Sequence, residues 1–104
     1  MRFTDIMLAA AAALAMPAQA QETGQASRGL ALAQRLCAEC HAIEKQSARS
    51  PNAHAPRFQA VASTPGMTAM ALSAALNTSH HSMPNILLAA DEQADIIAYI
   101  LSLK

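Results

Sequence analysis

The sequence predicts an all-α domain built from three to four helices. Near the C-terminus, Ile96, Ile100 and Leu103 follow one another at the spacing of a single helix face. Nearer the N-terminus, Leu32 and Leu36 also stand four residues apart. No stretch alternates apolar and polar residues with a period of two over a useful length. We therefore predict helices and no sheet.

Residues 1–20 are predicted to be a secretory signal peptide. Arg2 precedes an uninterrupted apolar run, Ile6–Met16, and Ala18-Gln19-Ala20 has the small residues of a cleavage site. The run has eleven residues, whereas a membrane-spanning helix needs about 20. We therefore expect export to the periplasm and a mature domain, residues 21–104, that has no membrane span.

The first helix of the mature domain is predicted over residues 28–38, where the leucines recur at helical spacing. Residues 42–57 are predicted to form a loop, because serine, asparagine and proline are frequent there. A short helix is predicted over residues 58–62, and it ends before the turn signal Thr64-Pro65-Gly66.

Thr68 is predicted to cap a third helix that runs to Leu76. Met67 and Leu72 have the spacing of a hydrophobic staple across this cap, and we expect Met67 and Met70 to be core residues of this helix. A polar loop is predicted to follow, up to residue 85.

The last helix is the clearest element, with acidic residues near its start and a basic residue at its end. Asp91, Glu92 and Asp95 lie near the predicted N-terminus, and Lys104 lies at the C-terminus. The helix dipole favours this arrangement, because negative charge is stabilised at the N-terminus and positive charge at the C-terminus.

The mature domain is short of large apolar side chains. It has 84 residues, of which 40 are hydrophobic, but 18 of those are alanine and two are cysteine. A domain of this size buries a modest share of its surface, so a core made from these side chains alone would be weak. We therefore expect a non-protein group to complete the core.

Charge and motifs exclude several partners. The chain has seven basic and seven acidic residues and a formal net charge of zero. It has no basic stripe for phosphates, so we expect no nucleic-acid binding. It has no glycine-rich phosphate loop either.

Cys37-Ala38-Glu39-Cys40-His41 fits the C-x-x-C-H pattern of covalent haem c attachment. Two thiols three residues apart at a helix end lie near the same face, so both can add to the vinyl groups of one porphyrin. His41 follows directly, which places its Nε2 as the proximal ligand of the iron. Since the chain has two cysteines and both lie in this motif, we predict one covalent haem c.

Three other uses of the cysteine pair compete with haem attachment. In an oxidising compartment the pair can form a disulfide. A thioredoxin-like oxidoreductase would need a βαβ pattern nearby, and the sequence shows none. A zinc site would use Cys37, Cys40 and two histidines, but His41 is too close to Cys40 and His54 has no partner at the usual spacing.

Met83 is predicted to be the second axial ligand of the iron. It lies in a polar loop before the last helix and is followed by Pro84. A thioether is a soft ligand that favours Fe(II), so His/Met ligation raises the reduction potential. His80 or His81 is the alternative ligand, and we expect His54 to lie in solvent.

Several segments together resemble the small bacterial class I c-type cytochromes over residues 24–104. The resemblance implies the class I cytochrome c fold, in which three to four helices wrap around one covalent haem and the N- and C-terminal helices cross. The segments that carry it are Arg28-Gly29 with Cys37-Ala38-Glu39-Cys40-His41, Ala55-Pro56-Arg57-Phe58, Ser79-His80-His81-Ser82-Met83-Pro84-Asn85, and the C-terminal residues 95–103.

The resemblance also implies roles for four supporting residues. The glycine eight residues before the first cysteine lets the last helix cross closely, so Gly29 should touch the ring of Tyr99. The carbonyl of the loop proline, Pro56, should accept a hydrogen bond from Nδ1 of His41 and orient its ring. Phe58 and Tyr99 should help to keep water from the iron, together with Leu32, Leu36, Leu72, Leu76, Ile96 and Ile100.

Two departures from the family pattern stand out. Many relatives have a tryptophan that donates to a haem propionate where this chain has Ala75, so the propionate should find another donor, Arg57 or Asn77, or remain hydrated. Relatives also tend to begin the last helix with serine or threonine, where this chain has Ala89, three residues before Glu92. Half of a capping box is therefore missing.

The sequence thus predicts an exported monohaem electron carrier of a periplasmic or respiratory chain, and not an enzyme. Its partners should be redox proteins that dock transiently at the haem edge, and we expect it to be a monomer. One alternative is a haem protein with a labile sixth ligand that reacts with a gas or peroxide. Another is a cytochrome subunit of a larger oxidoreductase.

Overall fold

The computed structural model describes Leu14 and residues 24–80 and 82–104. The predicted signal peptide, apart from Leu14, and His81 lie outside these residues. The described chain forms four α-helices and no strand, which confirms the all-α prediction; they are α1 (Ala26–Leu36), α2 (Phe58–Ala62), α3 (Ala69–Leu76) and α4 (Ala90–Leu101). None of these helices has both the length and the apolar character needed to cross a membrane.

Helices α2 and α3 begin and end where the sequence predicts, but α1 is displaced by two residues toward the N-terminus. It ends at Leu36 because the backbone N–H groups of Cys37 and Ala38 both donate to the carbonyl of Ala33, each at 2.9 Å. A carbonyl shared in this way closes the last turn of a helix. The cysteine motif therefore starts on the turn that follows α1.

Helix α4 holds the fold together, because it packs most extensively on α1 and also contacts α2 and α3. Gly29 lies at the crossing of α1 and α4. A Cβ atom there would overlap the backbone carbonyl of Asp95 and lie 2.8 Å from Cβ of Tyr99. The core comprises Leu32, Ala33, Ile43, Phe58, Ala62, Leu72, Ile96, Ile97, Tyr99, Ile100 and Leu103.

Asp95 joins α4 to the start of α1, a contact that the sequence analysis missed. It is a charged residue with only 5% of its surface exposed. Its carboxylate accepts from the backbone N–H of Gln25 at 2.7 Å and from Nε of Arg28 at 2.9 Å. These hydrogen bonds, that from Arg28 foremost, lower the pKa of Asp95. The carboxylate also serves the N-terminus of α1, where the helix dipole favours negative charge.

We expect Asp95→Asn to destabilise the protein at pH 7 and to reduce its loss of stability in acid. A lowered native pKa stabilises the fold above the ordinary aspartate pKa of about 3.9, and that contribution disappears as the pH falls through the native value. Denaturant unfolding at pH 7 and in acid measures both effects. Asp91→Asn, at an exposed acid of the same helix, is the matched control. The prediction would be contradicted if the free energies of unfolding of the parent and of Asp95→Asn differed by the same amount at pH 7 and in acid.

Thr68 caps α3 as predicted, because its Oγ1 accepts from the backbone N–H of Ala71 at 3.1 Å. Met67 is half-buried against the core, as the hydrophobic staple requires. The prediction that Met70 is a core residue is wrong, since it is 83% exposed. Met70 is two residues from the buried Leu72, which is about 200° around a helix, so the two point to opposite sides.

Helix α4 begins with half of a capping box. The backbone N–H of Ala89 donates to Oε1 of Glu92 at 3.0 Å. The reciprocal bond is missing because alanine has no side-chain oxygen. At the other end, Lys104 lies beyond the last turn, where its Nζ donates to the carbonyl of Met67 at 3.3 Å.

Ala89→Ser is expected to stabilise the protein by about 0.5–1 kcal/mol, because the hydroxyl supplies the missing cap acceptor. Thermal unfolding measures the gain as a rise in Tm of a few degrees. Ala90→Ser, one position into the helix, is the matched control and should not stabilise. An unchanged or lower Tm for Ala89→Ser would show that this position does not cap the helix.

Candidate functional site

The two cysteines and the histidine of the C-x-x-C-H motif lie on one tight turn. The backbone N–H groups of Cys40 and His41 donate to the carbonyl of Cys37 at 3.2 and 2.9 Å. Both cysteines are half-buried free thiols. The turn therefore presents two thiols and an imidazole together, directly after α1.

The imidazole of His41 is held on two sides. Its Nδ1 lies 2.7 Å from the carbonyl oxygen of Pro56, and its ring lies 5.2 Å from the ring of Phe58 between centroids. Because a carbonyl can only accept, Nδ1 carries the hydrogen and Nε2 keeps its lone pair. A neutral imidazole fixed in this tautomer is suited to bind a metal through Nε2.

Hydrogen bonds fix the backbone on both sides of His41, where the loop 42–57 begins. The backbone N–H of Asn52 donates to the carbonyl of Cys40 at 3.1 Å. The buried hydroxyl of Tyr99 donates to the carbonyl of Ile43 at 2.6 Å. Burial raises the pKa of Tyr99, and the nearby Glu44 adds to the effect. The phenol therefore stays protonated, and it anchors the start of the loop to α4.

Beside this turn lies a cavity of about 460 Å³ that is mostly apolar. Its volume lies within the range of pockets that hold small molecules and cofactors. No described lining residue is Asp, Glu, Lys or Arg; the lining residues are Leu36, Cys37, Cys40, His41, Asn52, His54, Ala55, Pro56, Phe58, Val61, Leu72, Ala75, Leu76, His80, Ser82, Met83, Pro84, Ile86, Ile96 and Ile100. A planar apolar group anchored by thiols suits this lining.

The cavity explains why Leu36 and Leu76, which the sequence analysis expected to help keep water from the iron, are not buried. Leu36 is 42% exposed and Leu76 is half-buried, although Leu32, Phe58 and Leu72 are buried as expected. Leu36 and Leu76 both line the cavity. Their apolar surface therefore faces a volume that protein atoms do not fill.

Met83 and the competing ligand His80 both line the cavity. Met83 is half-buried and its backbone N–H donates to the carbonyl of His80 at 3.2 Å. His80 is exposed, and its Nδ1 donates to the carbonyl of Thr78 at 2.9 Å. His54 is exposed, as expected, but also lies at the cavity wall. The structure thus brings His41, Met83 and His80 to one cavity.

The thiol of Cys37 is poorly suited to act as a reactive redox cysteine. Burial raises the pKa of the Cys37 thiol to about 11, whereas a reactive cysteine needs a lowered pKa to supply thiolate. Within residues 24–80 and 82–104, no group of three or more His, Cys, Asp or Glu side chains is arranged to hold a metal ion. The thiol-oxidoreductase and zinc alternatives therefore gain no support.

Neither residue expected to serve a haem propionate borders the cavity. Arg57 donates from Nη1 to the carbonyl of Ser47 at 3.3 Å. Asn77 uses its amide group to bond the carbonyl of Ser73 and the side chain of Gln93. Ala75, at the position of the missing tryptophan, does line the cavity. Apart from Cys37, Cys40 and His41, the polar side chains at the described wall are Asn52, His54, His80 and Ser82, which sequence reasoning did not single out as a set.

Comparison with known proteins identifies the family to which the chain belongs. The family model for cytochrome c matches residues 26–104. The chain belongs to the cytochrome c family. It is 35% identical to cytochrome c-552 of Bradyrhizobium diazoefficiens over 92 residues, which cover 88% of each chain. No solved structure matches this cytochrome.

Family membership assigns covalent haem c as the cofactor, and it places the chain among electron-transfer proteins. The residues present fit that cofactor. Two thiols three residues apart, an imidazole with Nε2 available and a thioether share one uncharged cavity. The cytochrome c fold also explains why the helices alone leave that cavity open.

Proposed function

We propose that this cytochrome is a periplasmic one-electron carrier of a respiratory electron-transfer chain, and not an enzyme. The observation that carries the proposal is that His41, fixed through Pro56, and Met83 line one apolar cavity. Two ligands that remain in place in both oxidation states suit electron transfer, because no substrate needs an open position on the iron.

Each residue of the site has a separate task in this proposal. Cys37 and Cys40 would hold the haem through thioether bonds, and His41, through Nε2, and Met83, through sulfur, would bind the iron. The bound haem supplies the Fe(III)/Fe(II) couple. Pro56 keeps the hydrogen of the His41 ring on Nδ1 and increases the basicity of Nε2. The Met83 thioether favours the reduced state and raises the potential.

The docking face that we propose is the mouth of the cavity, whose lining is uncharged. None of the described lining residues is Asp, Glu, Lys or Arg. The chain is formally neutral, so two haem propionates would make the cytochrome about −2, which steers partners weakly. We propose transient docking of redox proteins to a monomer, with little dependence on salt.

Met83→Ala tests the ligand assignment. The oxidised parent should show the weak far-red absorption band of sulfur–iron ligation, and Met83→Ala should lose it. We expect the variant to have a lower reduction potential and, when reduced, to bind carbon monoxide readily, because a position on the iron becomes accessible. Visible spectra of both oxidation states, with and without carbon monoxide, measure these changes.

Met70→Ala is the matched control, because Met70 is an exposed methionine of α3 outside the cavity wall. It should keep the far-red band. A parent without that band would contradict Met83 ligation. Ready binding of carbon monoxide by the reduced parent, unchanged in Met83→Ala, would favour the gas-reactive alternative.

A further inference from the structure

Three polar side chains join the C-terminal end of α3 to the first turns of α4. Nε2 of Gln93 donates to Oγ of Ser73 at 2.7 Å. Nδ2 of Asn77 donates to the carbonyl of Ser73 at 2.8 Å and to Oε1 of Gln93 at 3.2 Å. Ser73, Asn77 and Gln93 are called the amide clasp below. Gln93 lies 16 residues after Asn77 and 20 residues after Ser73, on the other side of the loop.

The amide clasp closes the loop that carries Met83. This loop runs from Asn77, the last capping residue of α3, to Ala89, which precedes α4. Between them, the described backbone N–H groups that donate to other backbone groups are those of Thr78 and Met83, and both bonds are local. Leu88 packs on the core. The position of Met83 therefore depends strongly on how the two ends of the loop are fixed.

The amide clasp does not itself line the cavity. It lies where α3 and α4 meet, and each of these helices supplies cavity residues: Leu72 and Leu76 from α3, and Ile96 and Ile100 from α4. Because its side chains are uncharged, it does not act through charge near the iron. Its effect on the site must pass through the loop.

We propose that Gln93 is a positioning residue for the iron ligand: the amide clasp fixes both ends of the Met83 loop and keeps the Met83 sulfur at its site. The inference rests on the proposed ligation by Met83. Without the clasp, the loop moves away from the cavity more often. The helices persist, since α1 and α4 pack together without it.

Exogenous imidazole measures how often the loop moves away. Imidazole binds ferric iron only when Met83 has left, so its apparent affinity rises in proportion to the population of that open form. Gln93→Leu removes two hydrogen bonds of ordinary net strength. We expect it to bind imidazole about tenfold more tightly than the parent, which corresponds to about 1.4 kcal/mol. Titration of the oxidised holoprotein, followed by its visible spectrum, gives the dissociation constants.

Two variants separate positioning from general destabilisation. Gln34→Leu makes the same substitution at an exposed residue of α1 and should bind imidazole as the parent does. Gln93→Glu should restore the parental affinity, because a carboxylate can accept from both Nδ2 of Asn77 and the hydroxyl of Ser73. Should Gln93→Leu fail to yield holoprotein, Ser73→Ala, which removes one bond, should show a smaller change in the same direction.

The outcomes are distinct. An unchanged imidazole affinity in Gln93→Leu, or an equal gain in Gln34→Leu, would overturn the inference. A loss of stability to urea without tighter imidazole binding would also overturn it, because that marks a purely structural role. Failure of the underlying Met83 assignment would be seen separately: the parent would lack the far-red band, and Met83→Ala would not alter imidazole affinity.

Discussion

Gly29→Ala is expected to lower the free energy of unfolding by about 2–3 kcal/mol, the upper part of the range for overpacking. The added methyl group would overlap the backbone carbonyl of Asp95 and press on Cβ of Tyr99. A backbone carbonyl within a helix cannot rotate aside, so α1 and α4 must separate. Denaturant unfolding of the holoprotein, followed by helical circular dichroism, measures the loss.

Packing and helix propensity predict changes of opposite sign in the free energy of unfolding of Gly29→Ala. Inside a helix, alanine is favoured over glycine by about 1 kcal/mol, so propensity alone predicts a more stable protein. Ser27→Ala, at an exposed position of the same helix, is the control and should stabilise slightly or have no effect. Equal or greater stability of Gly29→Ala would mean that the two helices do not approach closely at this position.

The local chemistry of the site could be predicted from the sequence. The bounds of α2 and the cap at Thr68 depend on neighbouring residues, and so does the turn that presents Cys37, Cys40 and His41. Side-chain spacing carries such information directly. The hydrogen bond from Nδ1 of His41 to the carbonyl of Pro56 was implied by the family resemblance and not by local spacing.

Contacts between distant segments could be predicted only in part. Asp95 meets Gln25 and Arg28 across about 70 residues, and nothing in the spacing of either helix names the partner. A signal was nevertheless present: Asp95 is four residues before Tyr99, on the same buried row of α4. A charged residue in a buried row needs a partner. The amide clasp, whose members are individually ordinary polar residues, gave no comparable signal.

The exposure of Leu36 could not be predicted, because periodicity identifies an apolar face but not what covers it. The row of leucines in α1 continues to the end of the helix, yet its last member faces the cavity and not another helix. The same reason applies to Leu76 on α3. The composition did indicate a shortage of large apolar side chains, since 18 of the 40 hydrophobic residues in the mature domain are alanine.

The apoprotein is expected to be largely unfolded. Without the cofactor, the apolar side chains that line the cavity of about 460 Å³ would face water, and the core would lose the burial that stabilises it. The whole stability of the predicted mature domain of 84 residues is about 4–13 kcal/mol, and full burial of one large apolar side chain contributes about 1.5–3 kcal/mol. The loss of burial at several such side chains is therefore enough to leave little or no stability. Residues 21–104 produced without haem attachment should give the circular dichroism spectrum of an unfolded chain.

Comparing the thermal unfolding of the apoprotein and the holoprotein shows whether haem or the protein core stabilises the fold. A group that is bound only by the folded state stabilises that state, and in this family the group is a covalent haem c. The contact between α1 and α4 remains available to the apoprotein, but Leu36, Leu76 and Ile86 would then face water. A cooperative thermal transition of the apoprotein would contradict the prediction, because it would mean that the α1–α4 crossing and its core suffice. If the holoprotein unfolds in a cooperative transition and the apoprotein shows none, haem is the central part of the core.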